Sequence, residues 1–397
     1  MKLNWDYDNF LSAAEKVHIH FLRLITGLLT ISMWLMAFCG AAAWYQWASC
    51  GFGLSVIAPL LLLGALYLGF QGLMVWLCLL CRRLRIAKRL LVWTFMWIPV
   101  VNFGLALYVR RLARQEIDHT LVKIELNDVR ACRQICATRY PLLLVHGVGF
   151  RDFHYFNYWG RIPRELALNG AKVYYGHQEA WGTVEDNARI LQEKICEIKK
   201  ETGCRKVNII AHSKGGLDSR YLISGLHMEG DVASLTTINT PHRGSALVDL
   251  LKRLPDRVYR GVCRMIDAYF RRLGDKNPDA YRASFQLSVA YTEAFNGTYG
   301  DKAGVYYQSC ASLMKSGFSS KLLCVPYWVL KKLDGPNDGL VTVRSARWGN
   351  VRGVMENKRL RGISHGDMID LTREDYEGFD VKEFYVELVS DLKQRGF

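Results

Sequence analysis

Val207-Asn208-Ile209-Ile210-Ala211-His212-Ser213-Lys214-Gly215-Gly216 is an apolar run that breaks at a serine flanked two residues away on each side by small side chains. The run reads as a buried strand. The residues after it, Gly216 to Leu222, read as a helix. A strand turning sharply into a helix lifts the serine hydroxyl out of the sheet edge, and only small residues fit two places either side of so tight a turn. Ala211 takes the place of the first glycine in the G-x-S-x-G pattern. The helix would point its positive dipole end at the serine.

A serine nucleophile needs a base, and the base needs an orienting acid. Of ten histidines, only His242 and His365 lie well downstream of the elbow and its helix. His242 directly follows the apolar run Leu235 to Ile238, ahead of any acid, so His365, in Gly362-Ile363-Ser364-His365-Gly366-Asp367, is the better base. Asp338 sits in the turn-rich stretch Gly335-Pro336-Asn337-Asp338-Gly339, ahead of a strand start near Val341. It is the expected acid, with Asp334 and Asp367 as rivals. Upstream, the strand Pro141 to Val145 ends in His146-Gly147-Val148-Gly149-Phe150, whose glycines permit close backbone approach.

LLLVHGVGF, VNIIAHSKGGLDSRY, INTPHRGS, GPNDGLV and ISHGDMID occur in this order between Tyr140 and Leu371, with 67 residues from His146 to Ser213. In these motifs the chain resembles the bacterial triacylglycerol lipases of the α/β-hydrolase superfamily. The resemblance implies Ser213 as nucleophile, Asp338 as acid and His365 as base. It implies the backbone N–H groups of Val148 and Lys214 as the oxyanion hole. This chemistry requires no cofactor. Many such lipases hold a structural calcium partly through an aspartate two residues after the histidine, here Asp367. The polar residue expected six after the histidine is Leu371 instead, and no cysteine follows the Asn-Asp-Gly-Leu-Val motif.

The resemblance does not cover the N-terminal region, 1–115. Leu24–Tyr45 is 22 uncharged residues and Phe52–Leu80 is 29. About 20 apolar residues cross a bilayer core, so both read as transmembrane helices, with Trp44, Tyr45 and Trp47 as interface anchors. A third apolar segment, Leu90–Val109, contains Pro99 and Asn102. It admits a crossing or a kinked, re-entrant path. Arg82, Arg83, Arg85, Lys88 and Arg89 place the loop after the second segment in the cytoplasm. A crossing third segment then puts the C-terminal region outside, with Arg110, Arg111 and Arg114 on the wrong side; a re-entrant one keeps it inside. Seven of eleven cysteines follow residue 115, an odd number without a disulfide framework, which favours free thiols.

Residues 116–397 alternate strand and helix signals: Lys172 to Tyr175, Thr183 to Lys200, Lys206 to Ile210 and Val305 to Ser309. They predict an α/β fold with a mostly parallel sheet covered on both faces. An insertion at about 245–295 carries Leu251, Leu254, Val258, Val262, Met265, Ile266, Tyr269 and Leu273 at helical spacing, with arginines and lysines between them and Pro255 dividing it. In lipases this region is a mobile lid over an acyl pocket, and a basic amphipathic helix suits a lipid interface. The net charge of +15 comes with no groove-reading motif, so the expected partners are a lipid ester substrate and anionic membrane lipids, with no nucleic acid. No motif bears on oligomeric state. The chain thus reads as a multi-pass, membrane-anchored serine hydrolase of acylglycerol or related lipid esters. An acyltransferase or phospholipid-remodelling enzyme with the same triad, and a non-catalytic membrane protein with a hydrolase-like binding domain, are the alternative readings.

Overall fold

The apolar runs around Ser213 become neighbouring strands of one parallel sheet in the computed structural model, which describes residues 5–51, 53–84, 86–150, 157–357, 361–375 and 378–397. Two compact units divide the chain, one of Asn4–Val129 and one that begins at Arg130.

The first unit holds α1 (Trp5–Cys50), α2 (Leu54–Leu80), α3 (Ile86–Phe95) and α4 (Pro99–Ala131). Ala13–Cys50 and Leu54–Leu80 are long and apolar enough to cross a membrane. Phe52, which opens the second apolar segment, lies outside the described residues. The third apolar segment is divided: α3 stops at Phe95 and α4 starts at Pro99. Proline suits a helix's first turn, where its missing N–H has no partner to lose. The residue read as a kink is therefore a helix start, and α4 runs on past residue 115. Gln71 Nε2 donates to the Met96 carbonyl at 3.0 Å, and Gln71 Oε1 accepts from Asn102 Nδ2 at 3.1 Å. The rings of Phe70 and Phe103 stack with centroids 5.7 Å apart. Glu116 accepts the Arg83 backbone N–H at 3.1 Å and pairs with His18 Nε2 at 3.0 Å.

The second unit alternates β1 (Leu142–Val145), α5 (Ile162–Leu168), β2 (Val173–Tyr175), α6 (Val184–Thr202), β3 (Val207–His212), α7 (Gly215–Ser224) and β4 (Val232–Ile238). Helices α8 (Ala246–Leu251), α9 (Asp256–Arg272), α10 (Ala280–Phe285) and α11 (Val289–Thr298) follow. Then come β5 (Tyr306–Ser312), α12 (Cys324–Leu333), α13 (Val343–Ala346), β6 (Asn350–Met355) and α14 (Val381–Gln394). The sheet order is β2-β1-β3-β4-β5-β6, and each neighbouring pair is parallel. Alternate side chains feed opposite faces. Leu142, Leu144 and Ile210 join Trp159, Ile162 and Tyr385 on one side, and Leu143, Val145 and Ile209 join Leu191, Ile195 and Leu222 on the other. Burial on both faces is why these strands are almost continuously apolar.

The stretch at Val341 is not a strand. Asn337 and Thr342 share one antiparallel bridge, and Thr342 then caps α13 by accepting the Ser345 N–H. The last strand is β6, nine residues further on.

Candidate active site

Loops at the C-terminal ends of the strands carry the site, as open parallel sheets require. Ser213 follows β3 with φ +55°, in the left-handed region that non-glycine residues seldom occupy. Its N–H donates to the Ile238 carbonyl at 2.9 Å, tying the turn to β4. Close packing explains the glycines. A Cβ at Gly215 would stand 2.4 Å from the His146 carbonyl oxygen, and one at Gly147 would stand 2.8 Å from Ser213 Cβ. The loop after β1 therefore lies directly against the serine. Among the described residues, the N–H groups of Val148 and Lys214 have no intramolecular acceptor. Two free amides flanking one hydroxyl can receive a developing oxyanion.

His365 sits on the loop after β6. Its Nδ1 donates to Asp338 Oδ2 at 2.7 Å, and its backbone N–H donates to the Asp338 carbonyl at 2.9 Å. Asp338 Oδ1 accepts the N–H groups of Leu340 and Val341 at 2.9 and 2.8 Å. The carboxylate is thus buried with three donors aimed at it, the N–H groups of Leu340 and Val341 and Nδ1 of His365. Gly339 makes this turn with φ +103°, a conformation glycine adopts without strain. The His365 ring lies 4.5 Å, centroid to centroid, from that of His212, the residue before the serine. The structure therefore pairs Asp338 directly with His365 and sets His365 beside the elbow.

The rival residues point elsewhere. His242 is fully buried, stacks on Trp348 with centroids 5.2 Å apart and shares a hydrogen bond with Thr237 Oγ1. Burial, then the charges of Arg220 and Arg243, hold its imidazole well below the usual range. Asp334 accepts from Thr342 Oγ1 at 2.8 Å.

Asp367 does not suit calcium. Its Oδ1 accepts from Arg361 at 2.9 Å and its Oδ2 from the Ser364 N–H at 2.8 Å. A guanidinium already supplies the positive charge, the Leu371 side chain offers no oxygen, and no group of three or more metal-binding side chains occurs among the described residues. Hard cations such as calcium need six to eight oxygens, roughly. Arg161 fastens the same loop further on, donating to both oxygens of Asp370 at 2.8 Å.

Sequence reasoning missed two groups. His212 shares a 2.7 Å hydrogen bond with the Tyr158 hydroxyl, and burial, then the neighbouring His365, keeps its imidazole well below the usual range. It is a neutral wall behind His365. The Lys214 side chain is also buried, with Nζ 2.6 Å from Asp218 Oδ1, while Asn187 Nδ2 donates to Asp218 Oδ2 at 3.0 Å. Burial raises the Asp218 carboxyl and Lys214 opposes that rise. Asn187 also bonds the backbone of Glu179, whose carboxylate accepts the N–H groups of Lys276 and Asn277 just beyond α9. Helix α9 itself exposes Val258, Val262, Met265 and Tyr269 as one stripe.

The fold is that of an α/β-hydrolase. No family model matches the chain. Triacylglycerol lipase 2 of Saccharomyces cerevisiae is 29% identical over 269 residues, covering 60% of this chain and 74% of that protein. A triacylglycerol lipase of Pseudarthrobacter phenanthrenivorans is 33% identical over 177 residues, covering 41% of this chain and only 54%, about half, of the relative. Among solved structures, the mature lipase BlEst2 of Bacillus licheniformis is 23% identical with a TM-score of 0.48, covering 64% of this chain and 92% of that one. Over its C-terminal region the chain is thus similar to proteins named as triacylglycerol lipases.

Proposed function

We propose that the protein is a multi-pass, membrane-anchored serine hydrolase of acylglycerol or related lipid esters. Ser213 Oγ attacks the ester carbonyl while His365 Nε2 accepts its proton. Asp338 holds the Nδ1–H tautomer and stabilises the imidazolium that forms. The N–H groups of Val148 and Lys214 bind the oxyanion. Collapse of the tetrahedral intermediate expels the alcohol, which takes the proton from His365. Water, deprotonated by the same imidazole, then releases the acid and restores Ser213.

The observation that carries this reading is the 2.7 Å hydrogen bond from His365 Nδ1 to Asp338 Oδ2, made beside a serine held at positive φ. Helices α1 and α2 supply the anchor by length and composition. The stripe on α9, with Arg257 and Arg264 exposed to one side of it, suits contact with an anionic lipid surface.

The test is labelling of the detergent-solubilised protein with a fluorophosphonate, beside product analysis on mono-, di- and triacylglycerols and phospholipids. Labelling at Ser213 with release of free fatty acid is expected. Acyl transfer to an added alcohol, with no free acid, would replace hydrolase by acyltransferase. Turnover retained in Ser213→Ala would sink the nucleophile assignment.

A further inference from the structure

Helix α3 has ten residues. At 1.5 Å per residue it rises about 15 Å, roughly half of the ~30 Å hydrocarbon core. The chain then turns at Trp97 and Ile98. Non-helical backbone survives at membrane depth only where it is enclosed by protein and its polar groups are satisfied. Trp97 and Ile98 expose their apolar side chains, while the inner flank of the turn is enclosed and the Met96 carbonyl is satisfied. Met96, Asn102 and Gln71 are all buried, and the Gln71 amide, lying within α2 nine residues before its end, donates to the Met96 carbonyl and accepts from Asn102.

Contacts along α4 give its direction. Phe103 meets Phe70 and Asn102 meets Gln71, about two thirds of the way along α2. Fourteen residues further on, Glu116 meets the Arg83 N–H and the Cys81 thiol beyond the end of α2, together with His18 before the apolar part of α1. Fourteen residues of helix advance about 21 Å. Helix α4 therefore runs in the same direction as α2 and leaves by the face at which α2 ends.

We infer that α3, the turn at Trp97–Ile98 and the start of α4 form a re-entrant hairpin, so that the hydrolase unit follows on the cytoplasmic side and draws its substrate from the lipid leaflet there. In the sequence, Lys16, Arg23, Arg82, Arg83, Arg85, Lys88, Arg89, Arg110, Arg111 and Arg114 all flank the apolar segments on that side, while the stretch 46–53 between the first two carries no charge. Ten basic residues against none orients the bundle with that side in the cytoplasm. A third crossing would strand three of the ten outside. The cytoplasmic leaflet is the anionic one, which matches the arginines of α9. This inference rests on the membrane reading of α1 and α2 proposed above.

Native thiols report the sidedness. Cys50 is exposed at the end of α1, in the uncharged stretch, and Cys132 and Cys196 are exposed beyond α4 and on α6. Intact cells expressing the full chain are treated with a membrane-impermeant maleimide, and the labelled cysteines are mapped by mass spectrometry. Cys50 should label in intact cells, and Cys132 and Cys196 should rise at least about tenfold only after permeabilisation. Labelling of Cys132 and Cys196 in intact cells at the permeabilised level would overturn the hairpin. Should Cys50 be shielded by lipid, proteolysis of sealed spheroplasts decides. A hydrolase unit that survives until permeabilisation supports the inference, and one digested at once refutes it. Ester hydrolysis and Ser213 labelling in detergent do not depend on sidedness, so their loss counts against the proposed function alone.

Discussion

Lys214 and Asp218 form an ion pair sealed from solvent directly beneath the serine turn, with Nζ 2.6 Å from Oδ1 and both side chains about 1% exposed. Removing one partner of such a pair leaves a charge buried alone and costs about 3–5 kcal/mol, whereas replacing both with apolar groups is often nearly neutral. Asp218→Ala should therefore lower the thermal midpoint of the detergent-solubilised protein by several degrees. Lys214→Met with Asp218→Leu should recover most of the loss. Equal midpoints for the wild type and Asp218→Ala would show that the pair contributes nothing.

Asp338→Asn replaces an acceptor with an amide that can present a donor to His365 Nδ1. The imidazole is then free to take the wrong tautomer, with a drop of about 10⁴ in kcat. Backbone hydrogen bonds from Leu340 and Val341 to Oδ1 should keep the fold. An unchanged melting curve with a slow fluorophosphonate reaction is the expected pair of results. Wild-type kcat would remove Asp338 from the mechanism.

Gly147→Ala places a methyl 2.8 Å from Ser213 Cβ and 2.7 Å from the Tyr158 hydroxyl. Neither neighbour has room to yield, so the loop that presents the Val148 amide must shift. Loss of one oxyanion donor costs about 10²–10³ in kcat. The fall should appear in kcat more than in KM, and a variant with normal kcat would argue against the loop's part in binding the oxyanion.

Arg361 sets the metal dependence. With Asp367 neutralised by a guanidinium, chelation with EDTA should leave both activity and thermal midpoint unchanged. Arg361→Gln should cost about 1–2 kcal/mol, less than a fully buried pair because the arginine is partly exposed, and should slow turnover by loosening the His365 loop. Inactivation of the wild type by EDTA that calcium reverses would contradict this.

Much of the second unit was legible because its inner strands β1, β3 and β4 are buried on both faces. Val207 to His212 and Val232 to Ile238 announce themselves by composition, although both run further than their most apolar cores suggest. Ser213, Asp338 and His365 stand in tight turns whose glycines and small residues leave a local signature. Val341 misled because the turn around Asp338 consumes the backbone N–H groups a ladder would need, so the apolar residues after it cap a short helix instead. Lys214 and Asp218 were opaque for another reason. Lysine and aspartate four apart on a helix ordinarily face water, and only the packing of α6 against α7, with Asn187 reaching across, shows this pair to be enclosed. Gln71 was hidden similarly, as one polar residue in a long apolar helix whose partner is a carbonyl 25 residues away.

The outward stripe of α9 bears on how turnover is to be measured. A protein that meets its substrate as an aggregate responds to the mole fraction of ester within that aggregate rather than to bulk molarity. Surface-dilution kinetics in mixed micelles, with total amphiphile and ester fraction varied independently, are therefore the appropriate frame, and a Michaelis constant quoted per litre would describe the micelle preparation rather than the enzyme.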